Sequence, residues 1–202
     1  MNKDWTGNKN SIFKTLGASN HTEKEREIND YYATDPIAID ALINDGGVTF
    51  DKNIWEVSCG AGHLSKKLEE YGYNVRSTDL VDRGYGEGGI DFLACTEPWD
   101  GDILTNPPYK YALDFILHSL NLIPKGKQVA MFLKLQFMEG KARKKLFLKH
   151  PPKAIYVSSS RILCAKNGDF ERMRAAGGSA VAYGWYLWEK GYAGSTEVKW
   201  IN

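Results

Sequence analysis

The feature that most narrows the fold is the order strand, glycine turn, helix, strand between Ile54 and Thr78. Ile54–Ser58 is a short apolar run, Cys59-Gly60-Ala61-Gly62 a tight turn, and His63–Tyr71 a stretch with Leu64 and Leu68 one helical turn apart, closed by Gly72. A second strand, Asn74–Thr78, then ends at Asp79. A strand that returns parallel to its predecessor needs a crossover helix between them, and this spacing supplies one. The alternation continues. Asp102–Thr105 reads as a strand, Tyr111–Leu122 as a helix, Gln128–Leu133 as a buried strand, the segment near Lys141–Lys149 as a basic helix, and Ala154–Ser158 and Ala180–Trp188 as strands. Before them, Thr34-Asp35-Pro36 is a helix-start signature leading into Ile37–Ile43. Val81–Gly89 reads as a loop and Ile90–Leu93 as a short strand. The fold class is therefore α/β, a largely parallel sheet with helices on both faces.

The 202 residues suit one domain over residues 31–202, behind a polar arm at 1–30 that lacks a sustained apolar period. No apolar run approaches the roughly 18–20 residues of a membrane span, and MNKDWTGNKN holds no signal-peptide core, so the expectation is a soluble, unexported chain without a membrane partner. Cys59, Cys95 and Cys164 are odd in number and far apart, which disfavours a disulfide scaffold or a metal site. The net charge of +1 decides little, but its distribution does not. From Asp79 to Asp102 seven acids face one base, Arg83; from Gly140 to Gly168 there are eight bases and no acid. Such segregation points to a basic face suited to phosphate, with a solvated lysine-rich helix as the bland alternative.

Two constellations carry chemistry. Glu56 to Gly62 runs from a strand into a glycine turn and then a helix, where glycines let a ligand approach the backbone and the helix start offers free N–H groups. Asp79, at the end of the next strand, is placed to accept both hydroxyls of a ribose. The second constellation is Asn106-Pro107-Pro108-Tyr109, directly after the fourth strand and at the same sheet edge. An exocyclic or amide nitrogen is a poor nucleophile because its lone pair is delocalised. The Asn106 side-chain oxygen and the Pro107 carbonyl can hold both of its hydrogens and favour a pyramidal nitrogen. Proline presets that geometry, and Tyr109 offers an aromatic face to a planar base.

With these residues in order, the chain resembles the S-adenosylmethionine-dependent amino-methyltransferases, particularly the phage-like N6-adenine DNA methyltransferases. The resemblance covers about residues 30–190. Tyr32-Ala33-Thr34-Asp35-Pro36 is similar to the family's N-terminal cofactor motif, Glu56 to Gly62 to its glycine motif, and Asn106 to Tyr109 to its catalytic motif. It implies a Rossmann-like class I methyltransferase domain, with a seven-stranded, mostly parallel sheet whose last two strands form an antiparallel hairpin. Ala180–Trp188 is then the final strand. The cofactor implied is S-adenosyl-L-methionine, held by Tyr32, Thr34, Pro36, Glu56, Ser58, Gly60, Gly62, Asp79, Leu80, Asp91, Phe92 and Asn106. Within that set Thr34 sits near the methionine carboxylate, Glu56 near its amino end, Asp79 on the ribose, Asp91 on the adenine N6 and Phe92 against the adenine ring. The setting implied is the cytoplasm of a bacterium or a phage-infected cell. Val57 departs from the proline common at its position, and no room is seen for a separate target-recognition domain.

Substrate contact is accordingly expected from Tyr109, from Lys144 on the basic helix, and from Arg161, Lys166, Asn167 and Phe170 in a loop-like stretch, Ser158–Ser179, that closes over the target base. DNA is favoured over RNA as the partner. An RNA base amine, a protein glutamine amide and a non-catalytic binding module stay open. A nicotinamide-dependent oxidoreductase ranks below them, because Ser65 replaces the third glycine of that pattern and Asn106 to Tyr109 is left without a role. His63 reads as a solvated or capping residue and Cys59 as a packing residue. Lys134 and Glu139 flank the end of the fifth strand without a spacing argument for more than structure. Trp185 and Trp188, three apart in a strand, face opposite sides.

Overall fold

The computed structural model describes residues 31–202; the expected arm at 1–30 lies outside the described residues. Strand β1 (Tyr32–Thr34) leads into α1 (Ile37–Asp40), which continues as a π-helical turn, Ala41–Asp45. Pro36 opens α1 with φ −54°, and the Asp35 carboxylate accepts the Ile37 N–H at 3.2 Å, so the expected start signature operates. Then come β2 (Asn53–Glu56), α2 (His63–Glu70), β3 (Asn74–Ser77), β4 (Asp102–Thr105), α3 (Ala112–Leu122), β5 (Gln128–Lys134), α4 (Lys141–Lys149) and β6 (Ala154–Ser158). The chain ends with β7 (Cys164–Lys166), α5 (Phe170–Ala175), β8 (Tyr183–Glu189) and β9 (Glu197–Ile201).

Seven strands form one sheet in the order β3-β2-β4-β5-β8-β6-β9, with β8 alone antiparallel to its neighbours. Alternation along each strand divides the core. Ile54, Leu104, Ala130, Phe132 and Trp185 point to the side covered by α1, its π-helical continuation and α2, through Ile39, Leu42, Leu64 and Leu68. Trp55, Ile103, Val129, Met131, Tyr186 and Trp188 point to the side covered by α3 and α4, through Phe115, Ile116 and Leu146. In β5, Val129 through Leu133 are all buried, as a strand covered on both faces requires. Trp185 and Trp188 do face opposite ways, and each indole finds an acceptor: the Ala38 carbonyl at 2.8 Å and the His150 carbonyl at 3.0 Å.

Three expectations are corrected. Ile90–Leu93 is no strand; the Asp91 carboxylate caps a 3₁₀ turn at Phe92–Ala94 by accepting the Leu93 N–H at 3.0 Å. Ala180–Trp188 is not the final strand, because β9 adds to the far side of β6, in parallel. The sheet thus reaches seven strands without one between β3 and β4. Finally, β6 and β8 pair antiparallel but form no tight hairpin, since Ser159–Ala182 intervenes and folds into β7 and α5 rather than an open loop. β7 pairs with β1 in a separate two-stranded ribbon, Thr34 opposite Cys164.

Candidate active site

The chain moves from β2 out to β3 and then back across to β4, so the connections diverge between β2 and β4. In open α/β sheets such a divergence marks the carboxyl ends of the two strands as the edge where ligands are received. Glu56 ends β2 and Thr105 ends β4. The two ends are tied by Ser58, whose hydroxyl lies 2.6 Å from that of Thr105 and donates to the Asn106 carbonyl at 3.1 Å.

Asn106 is held from three sides. Its Nδ2 donates to Thr34 Oγ1 at 2.8 Å and to the Tyr32 carbonyl at 3.3 Å, and lies 3.9 Å from Cys164 Sγ. A backbone carbonyl can only accept, so the amide nitrogen must be the atom facing β1. The oxygen is left over: Asn106 Oδ1 is buried and has no hydrogen-bond partner among the described residues. No hydrogen bond from the described residues reaches the Pro107 carbonyl either. Pro108, at φ −55° and ψ 116°, turns the chain into a 3₁₀ turn at Tyr109–Tyr111 by offering its carbonyl to the Tyr111 N–H at 2.8 Å. The Tyr109 ring is braced on Tyr183, centroids 6.0 Å apart, with the Lys134 ammonium 4.8 Å from its centre. Its hydroxyl lies 3.5 Å from Cys164 Sγ. Burial pushes the Tyr109 phenol well up and the Cys164 thiol up, so both stay neutral near pH 7.

The glycine turn forms the other wall. Gly60 and Gly62 adopt φ +56° and +78°, conformations that a side chain resists. Their open faces are covered by aromatic rings: a Cβ on Gly60 would stand 2.2 Å from the Tyr31 ring, and one on Gly62 2.3 Å from the Tyr85 ring. The Tyr31 hydroxyl accepts the Ala61 N–H at 3.2 Å and lies 3.4 Å from His63 Nδ1. Asp79 fastens this turn to β3 through its side chain, which accepts from Gly60 N at 2.8 Å and from Val81 N at 2.9 Å.

Other expected residues are placed as follows. Leu80, beside Asp79, is 59% exposed and so free to pack on a ligand. Glu56 is enclosed; its carboxylate accepts from Ser65 of α2, whose hydroxyl is also 2.7 Å from that of Ser77, and burial raises its pKa to about 8. Phe92, expected against the adenine, is a core residue packed edge-on to Trp55 and His118 and against Phe115, because α3 closes over it. Asp91 is exposed. Thr34, expected at the cofactor carboxylate, is buried and engaged by Asn106. Lys144, Arg161, Lys166 and Asn167 are exposed. Asn167 turns at φ 55°, and Phe170 packs edge-on against His63, centroids 5.5 Å apart. The β7–α5 segment therefore sits beside the glycine turn. Sequence reasoning missed Cys164, which touches Asn106, Thr34 and Tyr109, and the cover made by Tyr31 and Tyr85. Neither lies in a periodic pattern that would mark it. A hollow of about 370 Å³ among Leu120, His150, Trp188 and Lys190 lies at the opposite sheet edge, away from this chemistry.

No family model and no curated protein matches the sequence. Solved structures do match in fold. A Listeria monocytogenes protein assigned to the class I S-adenosylmethionine-dependent methyltransferases is similar over 82% of this chain and 61% of its own, at 14% identity and a TM-score of 0.51. A Lactococcus lactis protein assigned as a hemolysin is similar over 81% and 89%, at 12% identity and 0.56. A Vibrio vulnificus modification subunit, of an assigned type I restriction enzyme, is similar over 93% and 48%, at 11% identity and 0.52. The chain thus spans less than two thirds of the Listeria protein and about half of the Vibrio subunit. At these identities the likeness concerns architecture, and the conclusion is structural: this chain has the Rossmann-like fold of class I methyltransferases, with the glycine turn and Asn106 following the carboxyl ends of its neighbouring strands β2 and β4.

Proposed function

We propose that this chain is an S-adenosylmethionine-dependent methyltransferase acting on an exocyclic amino nitrogen, with adenine N6 in DNA as its target. The observation that carries the reading is Asn106 Oδ1, a buried acceptor without a donor among the described residues, fixed by a nitrogen that cannot turn away from Tyr32 and Thr34. An unpaired buried acceptor costs about 1–3 kcal/mol, so its retention at the mouth of a ligand crevice favours a donor that arrives with the substrate. The Pro107 carbonyl offers the second acceptor. Two acceptors match the two hydrogens of an amino group and leave its lone pair to point away from them. Tyr109 is a preset stacking platform, since Tyr183 and Cys164 fix its ring and hydroxyl.

The opposite wall fits the cofactor in kind. The phenol oxygen of Tyr31 already occupies the Ala61 N–H, a donor suited to a polar arm of a ligand, and exposed Leu80 offers apolar contact beside Asp79. S-adenosylmethionine, when bound, supplies an electrophilic methyl group on sulfur. This chain's part is positioning, which can lower a barrier by several kcal/mol without a strong base. DNA is favoured as substrate because α4 starts just beyond the carboxyl end of β5, on the crevice edge, and opens the acid-free stretch from Gly140 to Gly168. A target in a duplex must leave the stack, so mismatched or single-stranded sites should react faster.

The test is transfer of a labelled methyl group from S-adenosylmethionine into methyl-free DNA, RNA and protein pools. Incorporation into DNA that falls at least about 100-fold in Asn106→Ala supports the proposal. Label in RNA or protein keeps the chemistry and moves the partner, and unchanged transfer by Asn106→Ala overturns the role given to Asn106.

A further inference from the structure

Arg83 is the one base in the acidic stretch from Asp79 to Asp102, and it lies over the glycine turn. Its guanidinium carbon is 4.3 Å from the centre of the Tyr31 ring, which itself lies across Gly60. Its Nε is buried and has no hydrogen-bond partner among the described residues. The acids around it are already engaged. Asp79 accepts from Gly60 and Val81, Asp82 from Gly84 N at 2.9 Å, and Glu87 pairs with Arg76 at 3.5 Å. Arg143, the other half-buried arginine among the described residues, contrasts with it by donating to the Gln136 and Glu139 carbonyls. A partly desolvated guanidinium with an unpaired donor is unfavourable unless an anion completes it, and its planar fork suits a carboxylate.

The ligand read into this crevice has one carboxylate, and Thr34, the residue the resemblance set aside for it, is occupied in orienting Asn106. Building on the proposed function, we propose that Arg83 binds the carboxylate of the amino-acid arm of S-adenosylmethionine. Tyr31 is then a layer between cation and glycine turn that shifts when the arm enters. The acid at the end of β3 and the cation that follows it on the same loop act at different ends of one ligand: Asp79, whose two oxygens each accept one backbone N–H and keep a further lone pair, toward the sugar, and Arg83 toward the carboxylate.

The test compares equilibrium binding of S-adenosylhomocysteine with that of its decarboxylated analogue, which lacks only the carboxylate, to the full chain and to its Arg83→Gln and Arg83→Lys variants. Arg83→Gln should weaken S-adenosylhomocysteine about 10- to 100-fold and leave the analogue unchanged, with Arg83→Lys in between. Retained affinity for the analogue also shows that the variant is folded. Equal losses for both ligands, or no loss for either, overturn the assignment while the cofactor reading stands. Unchanged S-adenosylhomocysteine affinity together with weaker, less salt-dependent DNA binding gives the guanidinium to a phosphate instead and likewise overturns it. If the wild-type chain binds neither adenosyl ligand, the cofactor reading falls and this inference falls with it.

Discussion

Replacing Glu56 by glutamine should remove most of a pH dependence that the fold otherwise carries between acid and mildly alkaline conditions. Glu56 is 2% exposed beneath the glycine turn, and burial raises its pKa from 4.5 to about 8. Over that window the folded chain keeps a proton that the unfolded chain has released, so stability is greatest below pH 4.5 and is lost as pH rises through about 8. Each pH unit in the window costs about 1.4 kcal/mol, which makes the loss about 3 kcal/mol at pH 7 and about 4 kcal/mol at pH 8, where the folded group is half ionised. Those figures are comparable with the whole stability of many domains, which lies at about 5–15 kcal/mol. Urea unfolding followed by tryptophan fluorescence at pH 5.5 and pH 8 measures the effect. Asp102, also raised by burial, contributes with the same sign but is present in both proteins, so the difference between wild type and Glu56→Gln isolates Glu56. Wild type should lose at least about 2 kcal/mol more than the variant between the two pH values. Parallel lines for the two proteins would refute the reasoning, because Glu56 would then be ionised in the fold.

Other outcomes follow from the same geometry. Gly62→Ala places a Cβ against the Tyr85 ring at φ +78°, and should cost about 1–3 kcal/mol in denaturant midpoint measurements, with Tyr85→Ala relieving part of it. Thr34→Val takes away the acceptor for Asn106 Nδ2 and should lower kcat about 10-fold or more while cofactor affinity stays within about twofold. An equal loss in both would make Thr34 a ligand contact. Of the three thiols, Cys95 should react first with a thiol reagent in the native protein at pH 8: burial raises it too, but it is partly accessible, whereas Cys59 and Cys164 are buried and burial pushes the Cys59 thiol up to about 12. Peptide mapping of the labelled protein identifies the site.

The sequence made the sheet legible wherever one strand carried its own pattern. β5 and β8 have long apolar runs, and the glycine turn with Leu64 and Leu68 announced the first crossover. The elements that were hidden lack such a signal. β9 reads Glu-Val-Lys-Trp-Ile with four exposed residues, and its existence depends on pairing with β6. The β1–β7 ribbon joins three-residue strands far apart in sequence, and no local period encodes that pairing. Phe92 shows the converse limit: the family resemblance implies a contact with adenine, yet the space above the ring belongs to α3. The site divides the same way. Asn106 and the glycine turn stand at strand ends, where position alone marks them, whereas Cys164, Tyr31 and Arg83 reach the crevice only through tertiary contacts.

In the proposed reaction Asn106 presents its oxygen to an amino group receiving a methyl from S-adenosylmethionine. Nucleoside mass spectrometry of methyl-free DNA incubated with trideuteromethyl S-adenosylmethionine tests it most directly, because it locates the atom that is methylated. The deuterated methyl should appear on N6 of adenine and be absent with Asn106→Ala. Label on a ring carbon such as cytosine C5, or on adenine N6 at wild-type level in the variant, would contradict it.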